Sequence, residues 1–219
     1  PPRPLPPVPS PPPAPGASLV RRAPRAPAVI PPAAPPTPTL RGAHVTLRPY
    51  GAGFSDDELR TLYGWARDDE VLALAGGLPL TLDFERFKAL FLAQLPRHNG
   101  PHEQLFVILD AAGELVGRAG LYRLDPPLHR AELGIVIGRR DRWAQGIGRD
   151  TVRTLVRYGV EDLGLTRIVL FTYPSNERAQ RAFAGAGFRK VRTVRRFSLE
   201  MGAHDVIEMV WEAVANTSQ

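Results

Sequence analysis

From residue 40 onward, hydrophobic and polar positions alternate between two periods, two residues and three to four. Residues 44–48 alternate strictly and read as a first strand. Ser55-Asp56-Asp57-Glu58 has the spacing of a capping box, serine at the N-cap and glutamate three residues on. Leu59, Leu62 and Ala66 continue it as a helical stripe that ends near Asp68-Asp69. Phe84, Phe87, Phe91 and Leu95 mark a second helix over 83–95, stopped by Pro96. Residues 104–109 and 115–123 read as two strands joined by an Asp110-Ala111-Ala112-Gly113 turn, and 131–138 as a third. A long helix over 146–163 buries Val152, Leu155, Val156, Val160 and Leu163. A strand over 167–173 follows, then a short helix capped by Ser175 that runs to Ala186, with Gly187 beyond its end. Two strands, 192–200 and 206–212, turn at Met201-Gly202. The order β-α-α-β-β-β-α-β-α-β-β places hairpins first and a single β-α-β crossover later. It predicts an α+β fold: a mixed, mostly antiparallel sheet of six to seven strands flanked by about four helices.

Residues 1–39 break this pattern. They hold 17 of the 24 prolines, and Arg3, Arg21, Arg22 and Arg25 are their only charges. The segment reads as an extended or disordered proline-rich tail, ahead of a domain over 40–213 and a short C-terminal tail over 214–219. The tail carries four of the six formal positive charges, so the domain itself is nearly balanced. With 26 arginines against two lysines and no basic stripe interleaved with aromatics, nucleic acid is not an expected partner. No apolar run approaches the ~20 residues that span a bilayer, so a cytoplasmic protein without a membrane partner is expected. The absence of cysteine excludes disulfides, thiolate metal sites and a thioester on the protein, and no metal is expected.

The segment Arg142-Trp143-Ala144-Gln145-Gly146-Ile147-Gly148 sits between a strand and a helix. A glycine turn opening a helix offers unpaired backbone N–H groups and the positive end of the helix dipole to a phosphate. The dinucleotide fingerprint fails, because Thr151 stands at its third glycine and Tyr173-Pro174 where an acidic residue belongs. The Walker loop fails for want of Gly-Lys-Ser/Thr. Alone, the segment reads most simply as a tight turn that binds nothing.

It does not stand alone. Leu40-Arg41-Gly42-Ala43-His44-Val45-Thr46-Leu47-Arg48-Pro49, residues 65–71, the strand 131–138, Trp143-x-x-Gly146-x-Gly148, Asn176-x-x-Ala179 and Ala186-Gly187-Phe188 occur in the order of one family. Together they resemble the GCN5-related N-acetyltransferases, in the branch that acetylates ribosomal-protein N-termini. The resemblance implies acetyl-CoA as co-substrate, its pyrophosphate on the backbone of 143–148, with Gln145, Gly146, Ile147 and Gly148 in the loop and Trp143 in a place usually held by Gln or Arg. Arg142 and Arg149 could add charge there or lie on a solvated face. The resemblance further implies the pantetheine arm beside Ile135, Val136 and Ile137, a splay between that strand and 167–173, and Asn176 bonding the cofactor or serving as a helix cap.

Amide formation from a thioester needs a neutral amine and then a proton for the departing thiolate. Without cysteine, direct attack in a ternary complex is the economical route. Glu132, on the strand beside the expected acetyl site, is the candidate base; a salt bridge to Arg130 or Arg123 is its alternative. Phe183 stands where many relatives carry an acidic tyrosine and lines the cofactor site, which leaves Tyr173 as the substitute acid or as an aromatic lining the cleft. Tyr63, Trp65, Asp68, Asp69, Glu70, His102, Glu103 and His129 are the remaining candidates toward the acceptor. The expected partners are acetyl-CoA and an amine acceptor, a protein N-terminus or a small amine. A competing reading is a non-catalytic acyl-CoA-binding module that docks through its proline-rich tail. Sequence leaves open whether that tail packs on its own domain or on the other subunit of a homodimer.

Overall fold

The computed structural model describes residues 37–198 and 202–213. Most of the proline-rich segment (1–36), the turn residue Met201 with the two positions before it, and the tail 214–219 lie outside the described residues.

A two-residue strand β1 (Leu40–Arg41) pairs with β2 (Thr46–Pro49), which sits slightly later than the alternation alone places it. Helix α1 (Asp56–Trp65) begins at the expected capping box: the Ser55 hydroxyl accepts from the Glu58 N–H at 3.2 Å, and the Glu58 carboxylate accepts from the Ser55 N–H at 2.8 Å. Ser55→Ala removes half of that exchange. It is expected to lower domain stability by about 1 kcal/mol in a chemical denaturation series. The stripe that fades at Asp68 resumes as α2 (Asp69–Ala75), because the Asp68 carboxylate accepts from the N–H groups of Glu70 and Val71 and starts a new helix. Helix α3 (Phe84–Gln94) is capped by Asp83 in the same way.

Strand β3 (Gln104–Leu109) is apolar without alternation, because it is covered on both faces. Phe106 and Ile108 join the larger core beneath the later helices, while Leu105 and Val107 join a second core with Tyr50, Leu62 and Leu115, against which Phe54, Trp65, Phe87 and Phe91 pack. Strand β4 (Leu115–Asp125) and β5 (Arg130–Ile137) continue the sheet, and α4 (Ile147–Glu161) lays Val152, Leu155 and Val156 on its larger core. Strand β6 (Arg167–Thr172), α5 (Glu177–Ala184), β7 (Arg189–Ser198) and β8 (Gly202–Glu212) complete the described chain. Asn176, not Ser175, caps α5: a turn from the Asn176 N–H to the Tyr173 carbonyl sets its side chain to accept from the Ala179 N–H at 3.1 Å.

The described residues thus form an eight-stranded sheet in the order β1-β2-β3-β4-β5-β6-β8-β7, with five α-helices, one strand and one helix more than the sequence pattern predicts. Every neighbouring pair is antiparallel except β5 and β6. That parallel pair holds for only three rungs, Arg130–Arg167, Ala131–Ile168 and Glu132–Val169, although β5 runs on to Ile137 and β6 to Thr172. The sheet forks there. No helix of the described residues is long and apolar enough to cross a membrane.

Candidate active site

Two cavities open at the fork. The first, about 410 Å³, lies between β5, the turn before α4 and the start of α5. The second, about 720 Å³, lies between β4, β5, the end of β6 and the β7–β8 hairpin. They share Leu74 and Ala75 of α2, Ile135 and Val136 of β5, and Asn176, Ala179 and Phe183. A ligand threading the first cavity along β5 therefore reaches the second at the splay.

Backbone donors form one end of the first cavity. After a single 3₁₀ turn at Arg140–Arg142 the chain passes Ala144 at φ 61° and Gly146 at φ 83°, then enters α4. Gly146 suits this left-handed position because it carries no Cβ to clash. Among the described residues, the backbone N–H groups from Ala144 to Arg149 have no hydrogen-bond partner in the protein, and the first to be satisfied is that of Asp150, by the Gly146 carbonyl. A Cβ added at Gly146 or Gly148 would meet nothing within 4 Å, so the space over these donors is open. Unpaired donors, a helix N-terminus and room for a ligand fit a pyrophosphate.

Side chains around the loop hold it in place. The Trp143 indole N–H donates to the Ile137 carbonyl at 2.8 Å, tying the loop to the end of β5. The Arg178 guanidinium stacks over the Trp143 ring at 3.7 Å, and its burial lowers its pKa, opposed by the charge of Glu70. Arg142 is paired with Asp110 at 3.2 Å, so its charge is already balanced; Arg149, more exposed, also lines the cavity. Asp141, hydrogen-bonded by Arg139, has its pKa lowered to about 2 and is ionised at neutral pH.

Of the residues expected at the cofactor site, Ile135, Val136, Ile137, Arg142, Trp143, Gly146, Ile147, Gly148, Arg149, Asn176 and Phe183 line this cavity. Gln145 stands apart from that set. Its side-chain amide folds back to donate to the Asp141 carbonyl at 2.6 Å, bracing the loop rather than facing the cavity. Asn176 spends its side-chain oxygen on the cap of α5 and still borders both cavities. Phe183 is buried, with its ring against Phe188.

Glu132 occupies the last paired rung of β5 and β6 and lines the second cavity, as does Tyr173 just past the end of β6. The Glu132 carboxylate accepts from Arg123 at 2.6 Å, the alternative that its sequence environment offered. Arg123 is 74% exposed and Glu132 27%, so this pair is a weakly held surface contact with one partner leaning into the cavity. Tyr122, on the same wall, has its phenol pKa raised by burial, with the neighbouring Tyr50 and the carboxylates of Glu103 and Glu132 adding to the shift against Arg118; it stays a neutral hydroxyl.

The other acceptor candidates divide. His102 and Glu103 line the second cavity, while the His129 ring bonds the Gly164 carbonyl. Tyr63 donates to the Leu82 carbonyl at 2.9 Å and packs on Phe84 and Phe87. Trp65 packs in the smaller core, where it lies against Gly138 so closely that a Cβ there would overlap its ring. Asp68 and Glu70 pair with Arg140, fixing α2 to the turn before α4. Among the described residues no cluster of three or more His, Asp or Glu side chains could hold a metal ion.

A profile of the acetyltransferase (GNAT) domain matches residues 44–189. The chain belongs to the GNAT acetyltransferase family. Within the family it is 28% identical over 166 residues to human alpha/beta-tubulin-N-acetyltransferase 9, across 70% of this chain and 76% of that protein. It is 32% identical over 89 residues to the uncharacterized N-acetyltransferase YoaA of Bacillus subtilis (strain 168), across 41% of this chain and 50% of that protein. Its match to the uncharacterized N-acetyltransferase p20 of Bacillus licheniformis covers 58% of that protein, so the chain spans about half the length of these two Bacillus relatives. Among solved GNAT structures, a spermidine N-acetyltransferase from Vibrio cholerae in complex with CoA and spermine superposes with a TM-score of 0.64 at 21% identity, covering 77% of this chain and 95% of that one. A GNAT-family acetyltransferase from Bacillus anthracis gives 0.63 at 15% identity, covering 80% and 98%. At such identities the likeness is one of fold.

Several lining residues of this GNAT domain escape a reading of the sequence. Val71, Leu74 and Ala75 belong to a helix too short to show a period, and Arg118, Phe171, Arg196 and His204 come together only through the sheet order. Ala179 and Ala182 do leave a local signal: small residues three apart on α5, facing the cleft.

Proposed function

We propose that this chain is an acetyl-CoA-dependent N-acetyltransferase that passes the acetyl group directly to a primary amine, with a protein or peptide N-terminus as the acceptor class. The observation that carries the reading is the fork. One cavity ends on six unpaired backbone N–H groups, the other holds an accessible carboxylate, and they meet at Ile135 and Val136.

Acetyl-CoA supplies an activated acetyl thioester. The loop from Ala144 to Arg149 holds the pyrophosphate by backbone donation, and the unpaired edge of β5 past Glu132 lies along the pantetheine arm. Glu132 takes the proton from the incoming ammonium, directly or through a water, so that a neutral nitrogen attacks. The N–C bond forms as the C–S bond breaks, and the sulfur takes up a proton. Phe183 cannot supply it, and Tyr173, at the mouth of the fork, is the hydroxyl proposed for that step.

The larger second cavity leaves room for several residues of a peptide, and the human tubulin acetyltransferase is a relative over most of its length. Both favour a peptide or protein acceptor, the class proposed here for an N-terminal-acetylating branch, over a polyamine. Initial rates of CoA thiol release with N-terminal peptides and with polyamines test this: faster turnover of peptides supports the branch, and faster turnover of spermidine overturns it.

A further inference from the structure

We infer that the acceptor carries a carboxylate close to its reactive amine and that Arg196 receives it. This rests on the acetyltransferase reading of the fork and names the substrate class of the same site.

Four arginines lie on β7, and three of them are ion-paired. Arg189 pairs with Glu212, Arg192 with Glu208 and Arg195 with Asp205. Arg196 has no carboxylate within ion-pair distance among the described residues, although it is half-buried and lines the second cavity. Its guanidinium carbon lies over the Phe171 ring, 3.4 Å from the centroid, a cation–π contact that uses none of its N–H donors. Opposite Arg196 in the β7–β8 register is His204, whose ring is 5.8 Å from that of Tyr173 at the mouth of the fork. The unneutralised charge is therefore on the wall that an acceptor faces as it reaches the acetyl group.

Neither carboxylate lining the cavity pairs with it. Glu132 is engaged by Arg123, and Glu103 hydrogen-bonds the His98 ring at 2.7 Å. Arg118, also on the wall and beside the Tyr50 hydroxyl, adds a second cation with no carboxylate partner among the described residues. A planar guanidinium takes a carboxylate through two parallel hydrogen bonds, whereas a polyamine would set a further ammonium against it.

The test compares kcat/KM of the full chain, at saturating acetyl-CoA, for short peptides beginning Ser-Asp, Ser-Asn and Ser-Lys, for free aspartate and glutamate, and for spermidine. The Asp peptide is expected to exceed the Asn peptide by about tenfold or more, carried in KM, with the Lys peptide and spermidine slowest. In Arg196→Gln the Asp-to-Asn ratio falls to near one, and in Arg196→Glu the order of the Asp and Lys peptides reverses. CoA titration of each variant reports whether it is folded. Faster turnover of the free amino acids than of the peptides would assign the carboxylate to a small aminocarboxylate held by the same arginine. Equal kcat/KM for the Asp and Asn peptides in the wild type overturns the inference, and a preference that survives Arg196→Gln overturns the role of Arg196. Tight CoA binding with no turnover of any amine instead overturns the acetyltransferase reading, and this inference with it.

Discussion

Gly148→Glu is expected to weaken CoA binding by a hundredfold or more while leaving the domain as stable as the wild type. Gly148 is the second residue of α4, and a Cβ added there meets nothing within 4 Å. Its backbone is ordinary helix, unlike that of Gly146 at φ 83°, where any side chain would add strain. A carboxylate in the first helical turn is favourable to the helix, both in propensity and against the dipole. The same carboxylate sits where the pyrophosphate has to lie. Two like charges about 4 Å apart repel by about 4 kcal/mol in a partly screened site, two to three powers of ten in affinity. Titration with CoA and thermal unfolding separate the two effects. Wild-type affinity in this variant would show that the loop does not hold the cofactor.

Glu132→Gln is expected to lower kcat about a hundredfold with CoA affinity unchanged. The amide keeps the size of the carboxylate and its hydrogen bond to Arg123 but cannot accept the amine's proton. Because Glu132 lines the second cavity and not the first, cofactor binding is insulated from the change. Stability should move by less than about 1 kcal/mol, since its partner Arg123 is mostly solvent-exposed. A variant that turns over at the wild-type rate places the base elsewhere, with Glu103 the other carboxylate on that wall.

What was legible in the sequence was local. The serine and glutamate of the first capping box, the unbroken apolar run of β3 and the glycine turn before α4 each lie within a few residues of what they determine. Short elements were not legible. Two residues of β1 and seven of α2 are too few to express a period, and Asp68 reads equally as the end of one helix or the cap of the next. Ser175 and Asn176 are both competent caps, and the turn onto the Tyr173 carbonyl selects the second. The strand and loop on the cofactor side, 135–149, are contiguous along the chain and could be anticipated, but the acceptor side could not. Arg118 and Arg196 are drawn to one cavity by the strand order β4-β5-β6-β8-β7, which no local pattern encodes.

The most direct test is the release of CoA thiol from acetyl-CoA by the purified chain in the presence of an N-terminal peptide, followed by the mass of the peptide. One acetyl group is expected on the peptide's N-terminal amine for each thiol released, with both products lost together in Gly148→Glu. Tight CoA binding with neither thiol release nor acetylated peptide, across peptides and small amines alike, would contradict that expectation and leave an acyl-CoA-binding module in place of an enzyme.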